Sequence, residues 1–309
     1  MQICNMETKS VIFSIIIPHR NSIHFLPKLF SSIPQSDDIE IILVDNSPTP
    51  CTKEEIGIER DYLLLYSEPA RGAGGARNVG IENAQGKWLI FADADDYFSD
   101  GAFDTFYSKM NSDADIVYTC MSGIYIDTGE YSKRGDSYTN LVRGYLNGTK
   151  PEMELRLRFA SPCSKMVRSE FVIRYNIRYD EVPAGNDMYF SMLSGYYAER
   201  VEAIDAITYI ATVSKGSLTK QRNLSVIESR YRVFLRYNKF LKEHNLSTYQ
   251  YSIMYFLKMS IKFGLSHFIR FIGLLIKYRQ NPFVNCTNWL NTFRKVRSLD
   301  KQESRYITK

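Results

Sequence analysis

The chain has 309 residues, of which 44% are hydrophobic and 24% charged, and its five cysteines show no CxxC spacing. This composition is that of a globular protein with a sizeable core, and it argues against a disulfide framework, a zinc site and a disordered chain. No apolar run reaches the roughly 18 residues of a membrane span, so no transmembrane helix is expected. The scattered cysteines predict a reducing, cytoplasmic setting.

Charge is distributed unevenly along the chain. Residues 214–309 hold 19 Lys and Arg against 4 Asp and Glu, whereas the other residues hold 20 against 30. An acidic body with a basic tail differs from the pattern of nucleic-acid enzymes, in which cationic residues flank the site. We therefore expect no nucleic-acid partner, and we expect the tail to face an anionic membrane surface.

The first two thirds of the chain alternate apolar runs with helical periodicity. Runs at 11–17 and 39–44 are β-branched and nearly continuous, as in strands buried on both faces, and 23–32 has helical spacing. Further strands are expected at 61–67, 88–92, 115–120, 123–126 and 201–210, and helices at 75–84, 101–111, 138–147, 171–176 and 187–198. The pattern predicts an α/β domain over 1–220, with a mostly parallel sheet flanked by helices. Residues 221–309 are expected to form a helical, basic, aromatic-rich region.

Three carboxylates, Asp93, Asp95 and Asp96, follow the predicted strand at 88–92. Their mutual repulsion favours a bound cation, and oxygen ligands suit Mn²⁺ or Mg²⁺. An EF-hand loop is excluded because Tyr97 and Phe98 occupy a ligand position and the glycine position. The phosphatase pattern DxDx(T/V) is not met, and a helix N-cap accounts for only one carboxylate. The cluster therefore predicts a metal or nucleotide site.

A glycine-rich segment, RGAGGARNVG at 71–80, precedes these carboxylates. Glycines before a helix can expose backbone N–H groups to a phosphate, and an arginine adds bidentate pairing. The Rossmann fingerprint is not met because Arg77 replaces its third glycine, and a Walker loop is excluded by the lack of Gly-Lys-Ser/Thr. A flexible turn and a pyrophosphate clamp both remain open, and the nearby carboxylates favour the clamp.

Polar residues also follow the first two predicted strands. The first ends in Pro18-His19-Arg20-Asn21 and the second in Asp45-Asn46. Parallel strands bring their carboxyl ends to one edge, where open α/β sheets bind ligands. Asp45 could accept hydrogen bonds from a base or ribose there, and a turn or cap is the alternative.

In this order, IIIPHRN, EIILVDNSP, RGAGGARNVG and GKWLIFADADD resemble the motifs of family 2 glycosyltransferases, which have the Rossmann-like GT-A fold. The resemblance is strong over 11–98 and continues more faintly to about residue 219. It implies an inverting transferase that moves a sugar from a nucleotide-diphospho-sugar, expected to be a UDP-sugar, to a saccharide hydroxyl. The implied acceptor is polyprenyl-linked, and the implied context is bacterial surface polysaccharide synthesis. A non-processive enzyme is expected because the chain lacks Q-x-x-R-W.

The resemblance also implies roles for individual residues. Asp45 would bind the base or ribose, and Asp93 and Asp95 would hold Mn²⁺ or Mg²⁺ with the donor diphosphate. Asp187, in Gly185-Asn186-Asp187, would be the catalytic base. The sequence departs from the family pattern at Asn46 and at Asn186. Further donor-binding residues are expected at Pro18, Asn21, Arg71, Arg77, Asn78 and Lys215.

Two other functions remain as alternatives. A sugar-phosphate nucleotidyltransferase of similar fold would need a glycine-rich signature after the first strand, which Pro18–Asn21 does not supply. A non-catalytic sugar-nucleotide-binding or membrane scaffold predicts loss of the Asp pair or the base, and both are present. Lys165, near the implied site, is expected to be an ordinary solvated lysine.

The tail is predicted to hold a basic amphipathic helix over 253–279. Such a helix can lie on anionic lipid, which implies a peripheral protein at the inner face of the plasma membrane. Packing of the helix on its own domain is the alternative. The apolar face is expected to hold Ile261, Leu265, Phe268, Ile272 and Leu275, and the basic face Lys258, Lys262, Arg270 and Lys277.

Overall fold

The computed structural model describes residues 10–213 and 223–285. It divides the chain into two compact units, Met1–Lys220 and Gln221–Lys309. The predicted donor-binding residue Lys215 lies outside the described residues.

The described part of the first unit contains strands and helices in alternation. Its strands are β1 (Phe13–His19), β2 (Ile39–Asp45), β3 (Leu63–Tyr66), β4 (Trp88–Phe91), β5 (Tyr97–Phe98), β6 (Ile116–Tyr125), β7 (Tyr131–Ser132), β8 (Lys165–Arg168) and β9 (Val201–Val213). Its α-helices are α1 (Leu26–Ser31), α2 (Lys53–Ile56), α3 (Gly72–Asn83), α4 (Ala102–Tyr107), α5 (Asp136–Leu146), α6 (Glu152–Arg158), α7 (Ser169–Arg174) and α8 (Asn186–Tyr197).

These strands form one sheet in the order β3-β2-β1-β4-β8-β6-β9-β5, with β7 paired to β6. The pairs among β3, β2, β1 and β4 are parallel, as is β6 with β9, whereas β8, β5 and β7 pair antiparallel to their neighbours. Most strands of the described sheet therefore share one direction. The predicted α/β fold with a mostly parallel sheet is confirmed.

The central strands are buried on both faces because their side chains alternate between two cores. Ile15 and Ile17 of β1 belong to one hydrophobic cluster, and Ile16 belongs to the other. Neighbouring β2 repeats this alternation. This two-sided burial explains why the runs are continuously apolar.

The carboxyl ends of the parallel strands meet at one edge of the sheet. Asp45 at the end of β2 lies opposite His19 at the end of β1, and β3 ends beside Asp45 at Tyr66. The Ala92 amide, just after β4, donates to Ile16 of β1 at 3.1 Å, so Asp93 follows at the same edge. This edge holds the candidate site.

The sequence prediction misses the strands that pair antiparallel to their neighbours, β5, β7 and β8. The two strands expected at 115–120 and 123–126 are one strand, β6. Strand β8 inserts between β4 and β6 and was not predicted, because only four residues carry it and they show no clear periodicity. It follows a turn in which Ser164 has φ of 62°.

The second unit is helical over its described residues. It contains α9 (Leu224–Glu243), α10 (Met254–Lys262) and α11 (Leu265–Lys277). The single helix predicted over 253–279 is wrong, because the chain breaks between α10 and α11 at Gly264, whose φ is 109°. Within 10–213 and 223–285, no helix is long and apolar enough to cross a membrane.

Candidate active site

The loop after β2 is organised around the carboxylate of Asp45. Asp45 Oδ1 accepts from the Ser47 amide at 2.8 Å, and Oδ2 accepts from the Cys51 amide at 2.8 Å and the Cys51 thiol at 3.1 Å. Burial alone would raise the pKa of Asp45, but these hydrogen bonds lower it below its ordinary value. Burial and Asp45 together raise the pKa of Cys51 to about 12, so the thiol stays protonated. Asp45 therefore shapes this loop as an ionised acceptor.

Three buried polar atoms at this edge lack hydrogen-bond partners among the described residues. They are His19 Nε2, Asn46 Nδ2 and Ser67 Oγ, at the ends of β1, β2 and β3. Burial lowers the pKa of His19 by more than the negative charge of Asp45 raises it, so the imidazole is neutral near pH 7. Buried polar groups without partners are costly, and a ligand with complementary groups would satisfy them. The sequence places His19 among the polar residues expected at this edge, in reach of a nucleotide, whereas Ser67 carries no sequence signal.

Pro18 and Asn21, which are predicted to bind the donor at the end of β1, have different environments. Pro18 is buried within β1, opposite Val44. Asn21 is exposed, adopts φ of 50°, and donates its backbone N–H to Ser47 Oγ at 2.9 Å. The loops after β1 and β2 are thus joined beside the three unpartnered atoms.

The three carboxylates after β4 have three different environments. Asp93 pairs with Arg77 at 2.6 Å. Asp96 is buried and accepts from the Thr212 amide of β9 at 2.6 Å, and burial with repulsion from Asp95 and Asp93 raises its pKa well above its ordinary value. The Asp95 carboxylate makes no hydrogen bond or ion pair with another residue in the described parts of the chain, and it accepts from its own backbone N–H. The sequence cluster therefore separates into one paired, one buried and one open carboxylate.

Asp95 is suited to hold a cation together with Asp93. Burial and then repulsion from Asp93 raise the pKa of Asp95, so a cation bound beside it would stabilise the charged carboxylate. Hard carboxylate oxygens are what Mn²⁺ and Mg²⁺ prefer. Asp96 is not placed for the same role, because its carboxylate is directed to Thr212. The donor set thus fits the predicted metal.

Arg134 is a cation beside this cluster that the sequence reasoning missed. Its Nη1 donates to the Thr212 carbonyl at 2.8 Å, while the Thr212 hydroxyl donates to the Asp95 carbonyl at 2.7 Å. Burial would lower the pKa of Arg134, but Asp96, Asp93 and Asp95 raise it above its ordinary value. No motif marks it, because it comes from the loop before α5, about 40 residues along the chain.

The glycine-rich segment forms the first turns of α3 rather than an open loop. A Cβ on Gly74 would lie 2.0 Å from the Asp180 carbonyl, and one on Gly80 would lie 2.4 Å from Ile16 Cγ2. These glycines therefore allow α3 to pack closely against the segment before α8 and against β1. The flexible-turn interpretation is wrong, because the segment is helical and its glycines are needed for packing.

Arg77 connects the carboxylate cluster to the start of α8. It is buried, and its Nη2 donates to Asp93 while Nη1 donates to Asn186 Oδ1 at 3.0 Å. Asp93 keeps the pKa of Arg77 above its ordinary value, although burial alone would lower it. Asn186, where the family pattern has Glu, therefore accepts a hydrogen bond from the same arginine that holds Asp93.

Asp187 follows Asn186 in the first turn of α8 and is half-buried. Burial raises its pKa, Asp93 adds to this, and Arg77 and Lys165 oppose it. A half-buried carboxylate with a raised pKa is suited to accept a proton from a hydroxyl group. The structure thus brings Asp93, Arg77 and Asp187 together from three separate elements.

Two further predicted donor-binding residues make contacts within the protein. Asn78 exchanges hydrogen bonds with the backbone of Tyr179 at 3.0 and 2.8 Å. Arg71 forms a two-point contact with the carboxylate of Glu181, at 3.0 and 2.6 Å. Both residues attach α3 to the segment that leads into Asp187. Their roles in donor binding stay predictions.

Solved structures show the fold class. The structure of Staphylococcus aureus TarS residues 1–349 in complex with UDP-GlcNAc is similar with a TM-score of 0.63 and 19% identity, covering 87% of this chain and 80% of that one. The structure of the same segment in complex with UDP is similar with a TM-score of 0.55 and 17% identity, covering 90% of this chain and 75% of that one. The architecture is the GT-A fold, as predicted.

Sequence comparison shows the family. Residues 14–175 match the model of glycosyl transferase family 2, and the chain belongs to this family. It is 30% identical over 227 residues to the uncharacterized glycosyltransferase EpsJ of Bacillus subtilis, covering 68% of this chain. It is 26% identical over 222 residues to the poly(ribitol-phosphate) β-N-acetylglucosaminyltransferase TarS of S. aureus, covering 66% of this chain. The matches span 63% of EpsJ and 36% of TarS.

Proposed function

We propose that this chain is an inverting, non-processive glycosyltransferase that moves a sugar from a UDP-sugar to a hydroxyl group of a saccharide acceptor. The observation that carries the proposal is the double contact of Arg77 with Asp93 and Asn186. Through this contact Arg77 links Asp93, a carboxylate suited to bind a metal ion with the donor diphosphate, to Asn186, which is next to the candidate base Asp187. Family membership supports the same chemistry.

The nucleoside of the donor is proposed to bind at the ends of β1, β2 and β3. The unpartnered His19 Nε2, Asn46 Nδ2 and Ser67 Oγ supply polar groups for a base and ribose. The diphosphate would lie towards Asp93 and Asp95, which would hold Mn²⁺ or Mg²⁺. A divalent ion there would offset the charge that develops on the leaving diphosphate. Arg134 adds a fixed positive charge beside the same carboxylates.

Asp187 is proposed to accept the proton of the acceptor hydroxyl as that oxygen attacks the sugar. A single displacement inverts the anomeric centre. It requires one base for the acceptor hydroxyl and a separate pair of carboxylates for the leaving group. The raised pKa of Asp187, caused mainly by burial, increases its strength as a base. Arg77 opposes this shift.

The acceptor is proposed to be a lipid-linked saccharide in bacterial surface polysaccharide synthesis. The relative TarS is named for transfer of N-acetylglucosamine to poly(ribitol-phosphate), so a polyhydroxyl acceptor is chemically compatible with this fold. UDP-GlcNAc, bound in a TarS structure, is the first donor to test.

Donor hydrolysis over a panel of nucleotide sugars with Mn²⁺ tests the proposal. We expect one UDP-sugar to be hydrolysed by the wild type and not measurably by Asp187→Asn or Asp95→Ala. Asp104→Asn serves as the control because Asp104 is an exposed carboxylate in the first turn of α4. Binding of a UDP-sugar without any turnover would support the non-catalytic scaffold, and release of pyrophosphate from UTP and a sugar phosphate would support a nucleotidyltransferase.

We also propose that the second unit contacts anionic lipid at the inner face of the plasma membrane, where a lipid-linked acceptor would be found. Its described residues leave several large apolar side chains 61–73% exposed: Ile261, Leu265, Ile269, Ile276 and Phe283. Leu265, Ile269 and Ile276 share one face of α11, since they are four and seven residues apart. Exposed apolar side chains on a helix favour insertion at the lipid interface.

Charge on the same unit favours anionic rather than neutral lipid. Residues 244–285 contain five Lys and Arg and no Asp or Glu. Lys258, Lys262 and Lys277 are exposed. The predicted faces need two corrections, because Leu275 is buried and Arg270 pairs with Glu228 at 2.8 Å. Each surface cation near an anionic bilayer contributes about 1 kcal/mol to binding.

Co-sedimentation with phosphatidylglycerol vesicles tests the lipid contact. We expect the full chain to bind these vesicles at low salt and to lose most of the binding in Leu265→Ser/Ile269→Ser. Ile173→Ser is the matched control, because Ile173 is 62% exposed but lies in the first unit. Unchanged binding in the double variant, or equal binding to neutral phosphatidylcholine, would contradict the proposed surface.

A further inference from the structure

Lys165 is a fully buried cation in the first unit. It begins β8 and is 0% exposed, so the expectation of a solvated lysine is wrong. Its Nζ donates to Ser191 Oγ at 3.0 Å and to the Phe159 carbonyl at 3.5 Å. No carboxylate lies within ion-pair distance of it among the described residues. Lysines are almost never fully buried without a paired charge, so this arrangement calls for an explanation.

The hydrogen bond to Ser191 places the ammonium on the helix that carries Asp187. Ser191 is four residues after Asp187 in α8, so the two side chains lie on the same face, one turn apart. Ser191 is itself buried and donates to the Ala160 carbonyl at 3.0 Å, which orients its oxygen as an acceptor for Lys165. The rings of Tyr118 and Phe159, at 5.9 and 5.4 Å, shield the ammonium from water.

We propose that Lys165 is a positioning residue whose buried ammonium, held against α8 by Ser191, adjusts the electrostatic field at Asp187. The inference rests on the proposed role of Asp187 as the base. A single positive charge in this dry setting acts over a longer distance than it would in water, because little solvent screens it. Lys165 would act through Asp187 and would not touch the donor or the acceptor.

The charges near Lys165 and Asp187 determine whether Lys165 raises or lowers the pKa of Asp187. The charged form of Lys165 lowers the pKa of Asp187 against the raising effects of burial and Asp93, and Asp187 in turn opposes the fall in the pKa of Lys165. Burial lowers the pKa of Lys165 to about 7, so its charge is lost near neutral pH. The other charged or titratable groups that act on this pair are Arg77 from α3, Cys163 from the turn before β8, and Tyr179 from the segment before α8.

This charge state predicts an effect confined to low pH. Below about pH 7 the wild type carries the ammonium, and Lys165→Met removes it, so the pKa of Asp187 should rise in the variant. The acid limb of kcat/KM should therefore move to higher pH, while the rates of the two proteins converge above about pH 8. Lys165→Arg keeps a positive charge at this position, so the acid limb of kcat/KM should stay at nearly the same pH as in the wild type.

Two measurements on the full chain test the inference. The first is the pH profile of donor turnover in wild type, Lys165→Met and Lys165→Arg, with exposed Lys87→Met as the control. The second is ¹³C NMR titration of aspartate carboxyls without donor, in which the Asp187 signal is assigned from its loss in Asp187→Asn. We expect the Asp187 titration midpoint to rise by at least half a pH unit in Lys165→Met and to be unchanged in Lys87→Met.

The outcomes separate this inference from the proposed function. If Asp187→Asn is inactive but the midpoint and the acid limb are unchanged in Lys165→Met, Lys165 has no positioning role and the proposed base stands. A uniform loss of turnover at every pH in Lys165→Met would show a structural role only. If Asp187→Asn keeps full turnover, the proposed base is wrong, and the NMR titration still reports whether Lys165 acts on Asp187.

Discussion

Arg77 Nη2 on α3 lies 2.6 Å from Oδ1 of Asp93, which follows the next element, β4. The same guanidinium donates to Asn186 at 3.0 Å, beside Asp187. A planar guanidinium can make two such contacts in fixed directions, whereas an ammonium cannot keep both geometries. The candidate base and the candidate metal ligand are therefore linked through one side chain.

We predict that Arg77→Lys lowers kcat/KM by about 10²-fold. Lysine would lose the contact with Asp93 or the contact with Asn186, and Asp93 or α8 would then shift by up to about 1 Å. Steady-state kinetics with the active donor measure this. Arg174→Lys is the control, since Arg174 is an exposed partner of Glu170 on α7. Wild-type kinetics in Arg77→Lys would show that the link is not needed.

We predict that Asp95→Asn weakens Mn²⁺ binding by about 10- to 100-fold, because it removes the open carboxylate from the pair. Electron paramagnetic resonance of free Mn²⁺ measures the affinity without any need for activity. Asp100→Asn, at an exposed position in the same segment, should bind as the wild type does. If Asp95→Asn binds Mn²⁺ as tightly as Asp100→Asn does, Asp95 is excluded as a ligand.

The buried Lys165 also predicts how stability depends on pH. Its pKa is lowered to about 7 in the folded protein, so between pH 7 and its ordinary value the unfolded chain binds the extra proton. Its contribution therefore makes the protein more stable as pH rises, by up to about 1.4 kcal/mol per pH unit. In reversible unfolding, Lys165→Met should gain most over the wild type at and below about pH 7, and its advantage should shrink by pH 9. A constant difference would contradict the lowered pKa.

Two glycine substitutions should have opposite effects. Gly74→Ala should destabilise the first unit by about 1–3 kcal/mol and reduce turnover, because its Cβ would clash with the Asp180 carbonyl ahead of Asp187. Gly273→Ala is the matched change in α11, where a Cβ meets nothing within 4 Å. That variant should stabilise its helix by about 0.5–1 kcal/mol. Denaturant unfolding checks both values, and a neutral Gly74→Ala would show that the segment before α8 adjusts to the added methyl group.

The α/β order of the elements and the edge at which the site lies follow from the amino-acid sequence alone. Continuous β-branched runs at 11–17 and 39–44 can be buried only as central strands, and their carboxyl ends deliver His19 and Asp45 to one edge. These are local properties of strand burial and direction. Motif order alone then predicted the family.

Which charges act on one another depends on the three-dimensional structure. Asp93, Asp95 and Asp96 are nearly adjacent in sequence, yet one is paired with Arg77, one is bound to Thr212, and one is open. Arg134 and Lys165 carry no local signal, because their importance comes from burial and from partners on other elements. Electrostatic effects depend on distance and on the exclusion of water, and residue spacing along a chain specifies neither.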